Sequence, residues 1–355
     1  MTSPIVIWEP NPSGHRLSYV RYLAQWLQSN QIPFIIGSTE DSLKSPQWDK
    51  QGLDEYPYLL ASGLVNFSKI LPEQFNKATV IIPDCDNKII ELLRNFKTLK
   101  KHKFSLLVMR PRPIDGRFGR LKFLLKIGTL GLIKTFYRNT RIFSLSSPGL
   151  KLPVALKTLQ TIELLDPCEW APGLSRRELG LNANHEYANI FLVAGELSSR
   201  KHLPELLSAW VSGIEMQNIL VLVGTLSPTI DQDLVQKART TENVIFVDGY
   251  IGNTEFDSWI DISNYVFVLH KNAGSSGVAL KAAIGGTTII VGGDNSIKNI
   301  VGQITTNFAI CEPVTPEAIK ALTYSVAREQ SEPAHAKSVL ILPAQWSKLL
   351  VLGTD

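Results

Sequence analysis

Short runs of β-branched and aromatic residues alternate with stretches of helical periodicity along the whole chain, and this alternation restricts the fold more than any other feature. The runs are Ile5–Trp8, Phe34–Gly37, Thr79–Pro83, Ser105–Met109, Ile142–Leu145 and Thr161–Leu165, then Ile190–Ala194, Ile219–Val223, Val244–Val247, Tyr265–Leu269, Thr288–Val291 and Phe308–Cys311. Between them lie apolar stripes at helical spacing, such as Val20, Leu23, Trp26 and Leu27, or Leu203, Leu206, Leu207 and Trp210. Strands joined through helices pair in parallel, with helices on both faces of the sheet. A chain of 355 residues exceeds one ordinary core and suits two such domains. The expected class is therefore α/β, with two Rossmann-like domains facing each other across a cleft. Sheets of this kind take ligands beyond the carboxyl ends of their strands.

Turn chemistry at Asp166-Pro167 and Ala171-Pro172-Gly173 marks the division. Ser175 and Glu178 form a Ser-x-x-Glu capping box that predicts a short helix over 175–181. The reading gives an N-terminal domain over 1–165, a C-terminal domain over 166–330 and a tail over 331–355, a helix returning toward the N-terminal domain.

Composition excludes several classes. Hydrophobic residues make up 44% and charged residues 19%, which argues against disorder. Cys85, Cys168 and Cys311 are too scattered for a metal cluster or a disulfide framework, so a reducing cytoplasm is expected. The N-terminal residues lack the blocks of a signal peptide, and no uncharged apolar run could span a bilayer.

Chemistry concentrates at the ends of the predicted strands. Gly195 begins a turn that carries Glu196, Arg200, Lys201 and His202; its cations suit phosphate oxygens, and a solvated basic loop is the other reading. Gly249 and Tyr250 end another strand and would let a base approach the backbone. Gly274, Ser275, Ser276 and Gly277 precede a helix-forming run that contains Lys281. Backbone N–H groups and hydroxyls there can bind an anion, and a plain serine N-cap is the alternative.

In order and spacing these segments resemble the nucleotide-binding domain of GT-B glycosyltransferases, most closely glycosyltransferase family 4. The correspondence runs through Gly195…Arg200-Lys201, Val244-Ile245-Phe246-Val247-Asp248-Gly249, Gly274-Ser275-Ser276-Gly277 and Gly286-Thr287-Thr288-Ile289-Ile290. It covers about residues 160–295 well and the N-terminal half in outline. The resemblance implies a nucleoside-diphosphate sugar as donor, retention at the anomeric carbon, and neither cofactor nor metal. Arg200 and Lys201 would stabilise the departing diphosphate. Gly14, His15, Gly195, Gly249, Tyr250, Gly274, Ser275, Ser276, Gly277 and Lys281 would line the donor site. At the positions of the family's glutamate pair this chain has Ala273 and Lys281, and Glu196 replaces the usual first basic residue of the turn. A non-catalytic glycosyltransferase-like partner protein and a nucleotide-sugar epimerase are the alternative readings.

On the acceptor side the expected residues are Arg16, Asp84, Asp86, Arg110 and Arg112. Asp84 suits either an acceptor hydroxyl or a helix cap. Arg110 and Arg112 suit an anionic group rather than base catalysis. From Gly116 to Ile162 no acid occurs, while Arg117, Arg120, Lys122, Lys126, Lys134, Arg138, Arg141, Lys151 and Lys157 do, interleaved with Phe118, Leu121, Phe123, Leu124, Leu125, Ile127, Leu130, Leu132, Ile133, Phe136 and Tyr137. Such a segment suits an anionic membrane surface, with 110–141 as its centre, better than nucleic acid, and a core helix with a basic solvent face is the other reading. The expected partners are a nucleotide-sugar, a saccharide or lipid-linked acceptor, and the inner face of a membrane.

Overall fold

A computed structural model describes residues 3–12, 16–112, 117–137, 139–146, 152–182, 185–271, 276–328 and 341–352. The chain forms two compact units. The first comprises the described residues up to Ser146, those from Leu152 to Pro167, and Ile341–Leu352; the second runs from Cys168 to Arg328.

The first unit is a seven-stranded, wholly parallel sheet. Its strands are β1 (Ile5–Trp8), β2 (Phe34–Ser38), β3 (Tyr58–Leu60), β4 (Thr79–Ile82), β5 (Lys103–Val108), β6 (Arg141–Ser146) and β7 (Ile162–Leu165), in the order β3-β2-β1-β4-β5-β6-β7. Alternate side chains divide between the two faces, as strand geometry requires. Ile5, Ile7, Ile36, Ile81, Leu107 and Phe143 pack with the helices Arg16–Ser29 and Pro343–Leu352. Val6, Trp8, Val80, Ile82, Leu106 and Val108 face the other way, against the helices Leu64–Ile70, Ile89–Arg94 and Arg117–Phe136. The C-terminal helix belongs to this first unit: Trp346 stacks on Tyr19 with ring centroids 5.0 Å apart, and both side chains are buried.

The second unit is a six-stranded parallel sheet of β8 (Asn189–Ala194), β9 (Asn218–Gly224), β10 (Val244–Asp248), β11 (Tyr265–His270), β12 (Thr288–Gly293) and β13 (Phe308–Cys311), in the order β10-β9-β8-β11-β12-β13. Phe191, Val193, Leu220, Leu222 and Phe267 face the helices Leu203–Val211, Gln232–Arg239 and Pro316–Arg328. Leu192, Val221, Val223, Val268 and Ile289 face Asn253–Asp261, Gly277–Gly285 and Asn295–Ile304. Burial of such side chains contributes roughly 1.5–3 kcal/mol each, so the fold rests on these four layers of packing rather than on its polar contacts.

The expected class, two Rossmann-like α/β domains, is the observed one. Two details differ from the sequence reading. The edge strand β3 has only three residues, none fully buried, too short and exposed to announce itself by periodicity. The helix expected over 175–181 is a single turn. The capping-box bonds form, with Ser175 N donating to Glu178 Oε2 at 2.8 Å, but Gly180, at φ +84°, ends the turn.

Candidate functional site

In each sheet the chain reverses its direction of winding beside the first strand. The switch falls between β1 and β4 in the first unit and between β8 and β11 in the second. Loops diverging from the carboxyl ends of such neighbouring strands leave a crevice between them.

In the second unit, the loop after β8 and the loop after β11 meet, because Lys271 N donates to Arg200 O at 2.9 Å. At the turn out of β8, Gly195 has φ +94°, and Gly224 at the end of β9 lies so near that a Cβ there would stand 1.9 Å from Gly195 O. Beyond Gly195, Lys201 folds back and donates to Ala194 O, the last carbonyl of β8. Burial pulls the Lys201 ammonium down to about 8, and the charge of Arg200 adds to the fall against the opposing pull of Glu196. Arg200 is half-exposed and stands 3.8 Å from Glu196.

His270 closes β11. Burial, with Lys201 and Arg200 nearby, lowers its imidazole to about 3, so it is neutral at physiological pH. Its carbonyl accepts from Asp294 N at 2.7 Å. Glu205 gathers two neighbours, Lys271 at 3.0 Å and His202 Nδ1 at 3.1 Å. Burial would raise the Glu205 carboxyl, but the bonds from Lys271, its own backbone and His202 outweigh it and hold the group low. The crevice thus collects Arg200, Lys201 and Lys271 against Glu196 and Glu205, a cationic surplus at the end of the two central strands.

The remaining expected donor-side residues take varied places. Ser276 is the N-cap of the helix Gly277–Gly285, its Oγ accepting from Ala279 N at 3.2 Å, and Gly277 opens that helix. Gly249 follows the edge strand β10, its N–H bonded to Gly224 O at 3.0 Å, and Tyr250 comes next, two strands away from β8. Lys281 is committed elsewhere. It forms an ion pair with the fully buried Asp257 and donates to Glu169 O at 2.8 Å, while Asp257 also accepts from Ala171 N at 2.9 Å. These contacts tie the start of the unit to two of its helices. Gly14, His15, Ala273, Gly274 and Ser275 lie outside the described residues, as do Arg138 and Lys151.

In the first unit, the expected acceptor-side residues form one network. Asp84 Oδ2 accepts from Arg16 Nε at 2.6 Å, and Asp84 Oδ1 accepts from Asp86 N at 3.1 Å. Asp86 pairs with Lys126 at 2.7 Å and accepts from Arg110 N at 2.9 Å; Lys126 also donates to Arg110 O at 2.8 Å. Burial raises the Asp86 carboxyl although Lys126 opposes the shift. The Arg110 side chain is exposed, and Arg112 is half-buried.

One member escaped the sequence reading. Glu9 follows β1 directly and is 2% exposed. Its backbone is held by Gly37 O at 3.0 Å and by Ser38 Oγ at 2.7 Å, and its Oε1 accepts from Asn11 N at 3.0 Å. Burial lifts its carboxyl to about 8. Nothing in the sequence separates a buried glutamate after a strand from a surface one; only its place at the end of the first strand could have drawn attention.

The helix Arg117–Phe136 packs Leu130 and Ile133 inward and leaves Phe118, Leu121, Leu124, Leu125, Leu132 and Phe136 exposed, Phe118 to 82%. Two of its cations hold it in place: Lys126 as above, and Lys134, which donates to Leu159 O at 2.6 Å. Arg120 and Lys122 face outward. Among the described residues no helix is long and apolar enough to cross a membrane, and no three His, Cys, Asp or Glu side chains come together so as to hold a metal ion.

No protein-family model and no characterised protein matches the sequence. Solved structures do match in fold. The chain is similar to HepE from Anabaena, in its complex with UDP-glucose, with a TM-score of 0.65 at 11% identity over 98% of this chain and 94% of that one. Sucrose-phosphate synthase from Thermosynechococcus elongatus matches with a TM-score of 0.58 at 15% identity, over 99% and 94%. A UDP-N-acetylglucosamine 2-epimerase matches with a TM-score of 0.56 at 12% identity, over 99% and 94%. The two-domain α/β fold is the one these GT-B proteins share.

Proposed function

We propose that this protein is a glycosyltransferase that moves a sugar from a nucleoside-diphosphate sugar to a saccharide or lipid-linked acceptor. The observation that carries the reading is the cationic crevice of Arg200, Lys201 and Lys271 at the carboxyl ends of β8 and β11. A diphosphate leaving group gains charge as its bond to the sugar breaks, so fixed cations and backbone donors there lower the barrier. Arg200 contributes a forked donor set, and Lys201 a charge fixed by its bond to Ala194 O. Ser276 and Gly277, at the start of their helix, add hydroxyl and N–H donors. The fold shared with HepE bound to UDP-glucose supports a nucleotide-sugar donor. Retention at the anomeric carbon is the outcome the family resemblance implies, and the reading involves neither cofactor nor metal.

The reading places the protein at the cytoplasmic face of an anionic membrane. The support is the exposed apolar stripe of the helix Arg117–Phe136, flanked by Arg120 and Lys122. Apolar side chains can enter the interface while each nearby cation adds roughly 1 kcal/mol of attraction to anionic lipid.

Thermal shift with UDP, GDP and their sugars, followed by transfer assays, tests the donor site. Stabilisation by at least one nucleoside diphosphate is expected, lost in Arg200→Ala plus Lys201→Ala. Unchanged stabilisation in that double variant would remove the clamp. A second reading, epimerisation, is favoured by the match to the 2-epimerase fold. Incubating the donor without acceptor separates the two, since an epimerase would change the sugar's configuration on its nucleotide.

A further inference from the structure

Where ligands are expected, the first unit keeps a buried carboxyl oxygen for which no described residue supplies a partner. Glu9 stands at the carboxyl end of β1, beside the switch to β4. Its backbone and its Oε1 are engaged, yet Oε2 is buried and makes no hydrogen bond among the described residues. An unpaired buried polar atom costs about 1–3 kcal/mol, and such atoms in native folds call for an explanation. No stabilising role explains this one, because any apolar side chain of similar size would avoid the cost. We propose that Glu9 is a specificity-determining residue for the saccharide acceptor, its Oε2 kept free to bond a sugar hydroxyl. This rests on the transferase reading above.

The surroundings fix the sense of that bond. Burial lifts the Glu9 carboxyl to about 8; the Asn11 N–H opposes the rise, Asp84 adds to it, and the charges of Arg16 and Lys88 oppose it. Arg16 comes from the start of the helix Arg16–Ser29, and Asp84 and Lys88 from the segment after β4. Gly37 and Ser38, the contacts from β2, carry no charge. Arg16 is already bonded to Asp84, so it does not neutralise Glu9 outright. At neutral pH Glu9 is therefore a carboxylic acid whose Oε1 accepts from Asn11 and whose Oε2–H donates. A neutral donor suits an uncharged hydroxyl oxygen. Above pH 8 the group ionises, the donor is lost and a second negative charge stands near Asp84.

The test uses the full chain with UDP-glucose as donor and octyl glucoside as acceptor probe. Glu9→Leu is expected to raise KM for octyl glucoside about thirtyfold with little change in kcat, and Glu9→Gln, which keeps an N–H donor, about threefold. In a Lys201→Arg background, where Lys201 no longer titrates in the same range, kcat/KM for the acceptor should fall about tenfold per pH unit above 8, and adding Glu9→Gln should remove this limb. A KM in both variants within about twofold of wild type would overturn the proposal. Infrared difference spectra keep it testable if Glu9→Leu misfolds or octyl glucoside is not turned over. A protonated-carboxyl band present at pH 7, absent in Glu9→Gln and displaced by octyl glucoside is expected; a band the sugar leaves unmoved refutes the assignment. Absence of transfer from UDP-glucose and of nucleotide binding counts against the transferase reading, and the infrared result still decides Glu9.

Discussion

The carboxyl ends of β1 and β4 and those of β8 and β11 are the same place in two copies of one topology, yet they handle charge in opposite ways. In the first unit Asp84 and Asp86 are matched by Arg16 and Lys126, and the one unmatched carboxyl, Glu9, escapes charge by holding its proton. In the second unit Arg200, Lys201 and Lys271 outnumber Glu196 and Glu205 at the ends of β8 and β11. A charge-balanced surface suits an uncharged sugar. A cationic surplus suits an anion. Topology decides where each site lies, and side-chain charge decides what it takes.

The sharpest way to break this contrast is to remove one partner on each side. Asp86→Ala should strand Lys126 and the Arg110 N–H, whose ion-pair side chains are only 13% and 12% exposed for Lys126 and Asp86. Loss of a buried partner costs about 3–5 kcal/mol, and residual solvation here brings the expectation to about 2–3 kcal/mol in denaturant unfolding. Arg200→Ala, half-exposed and without such a partner, should leave stability within about 0.5 kcal/mol of wild type while weakening UDP binding about tenfold or more in calorimetry. Equal stability losses in the two variants would erase the distinction between a structural network and a binding one.

Protons distinguish the two sites next. Glu9 has a folded pKa raised to about 8, so its contribution to stability is complete below the unfolded value near 4.5 and is lost as pH rises through 8. Glu9→Gln should therefore gain roughly 2 kcal/mol on wild type between pH 5 and 7, seen as a stability curve that no longer declines there. Lys201 is lowered to about 8, so its ammonium loses the proton as pH rises through that value. UDP affinity should then fall about threefold to tenfold between pH 7 and 9, and Lys201→Arg should flatten the dependence. A UDP affinity independent of pH in the wild type would remove Lys201 from the anion site.

The sequence made these two places unequally legible. The parallel α/β class was plain because buried strands and amphipathic helices alternate with such regularity, and only the short, exposed β3 and the turn after Ser175 failed to follow the pattern. Arg200 and Lys201 could be found because cations after a glycine at a strand end are a local feature. Lys281 shows where local reading stops. Its partner Asp257 lies on the preceding helix and Glu169 lies more than a hundred residues away, so its commitment to an ion pair is a fact of packing. Lys126 is similar: it reads as one more cation of an acid-free stretch, but it locks its helix onto Asp86. Glu9 carried no signal, because burial and the lack of a partner belong to the folded state alone.

The smallest expected effect concerns the face that neither site uses. Phe118, Leu121 and Leu125 are exposed on the helix Arg117–Phe136, whereas Leu130 and Ile133 hold that helix to the core. Replacing the three exposed residues with serine removes little packing, so stability should change by less than about 1 kcal/mol. Flotation with vesicles of phosphatidylglycerol and phosphatidylcholine should nevertheless fall severalfold, and the wild type's binding should weaken in high salt because Arg120 and Lys122 act through screened charge. Retained binding by the triple serine variant would make the attraction purely electrostatic, and the apolar stripe would then need another partner. A loss of stability instead would mean that this face is already covered by protein, and the contrast between a packed side and a free side of the helix would fail.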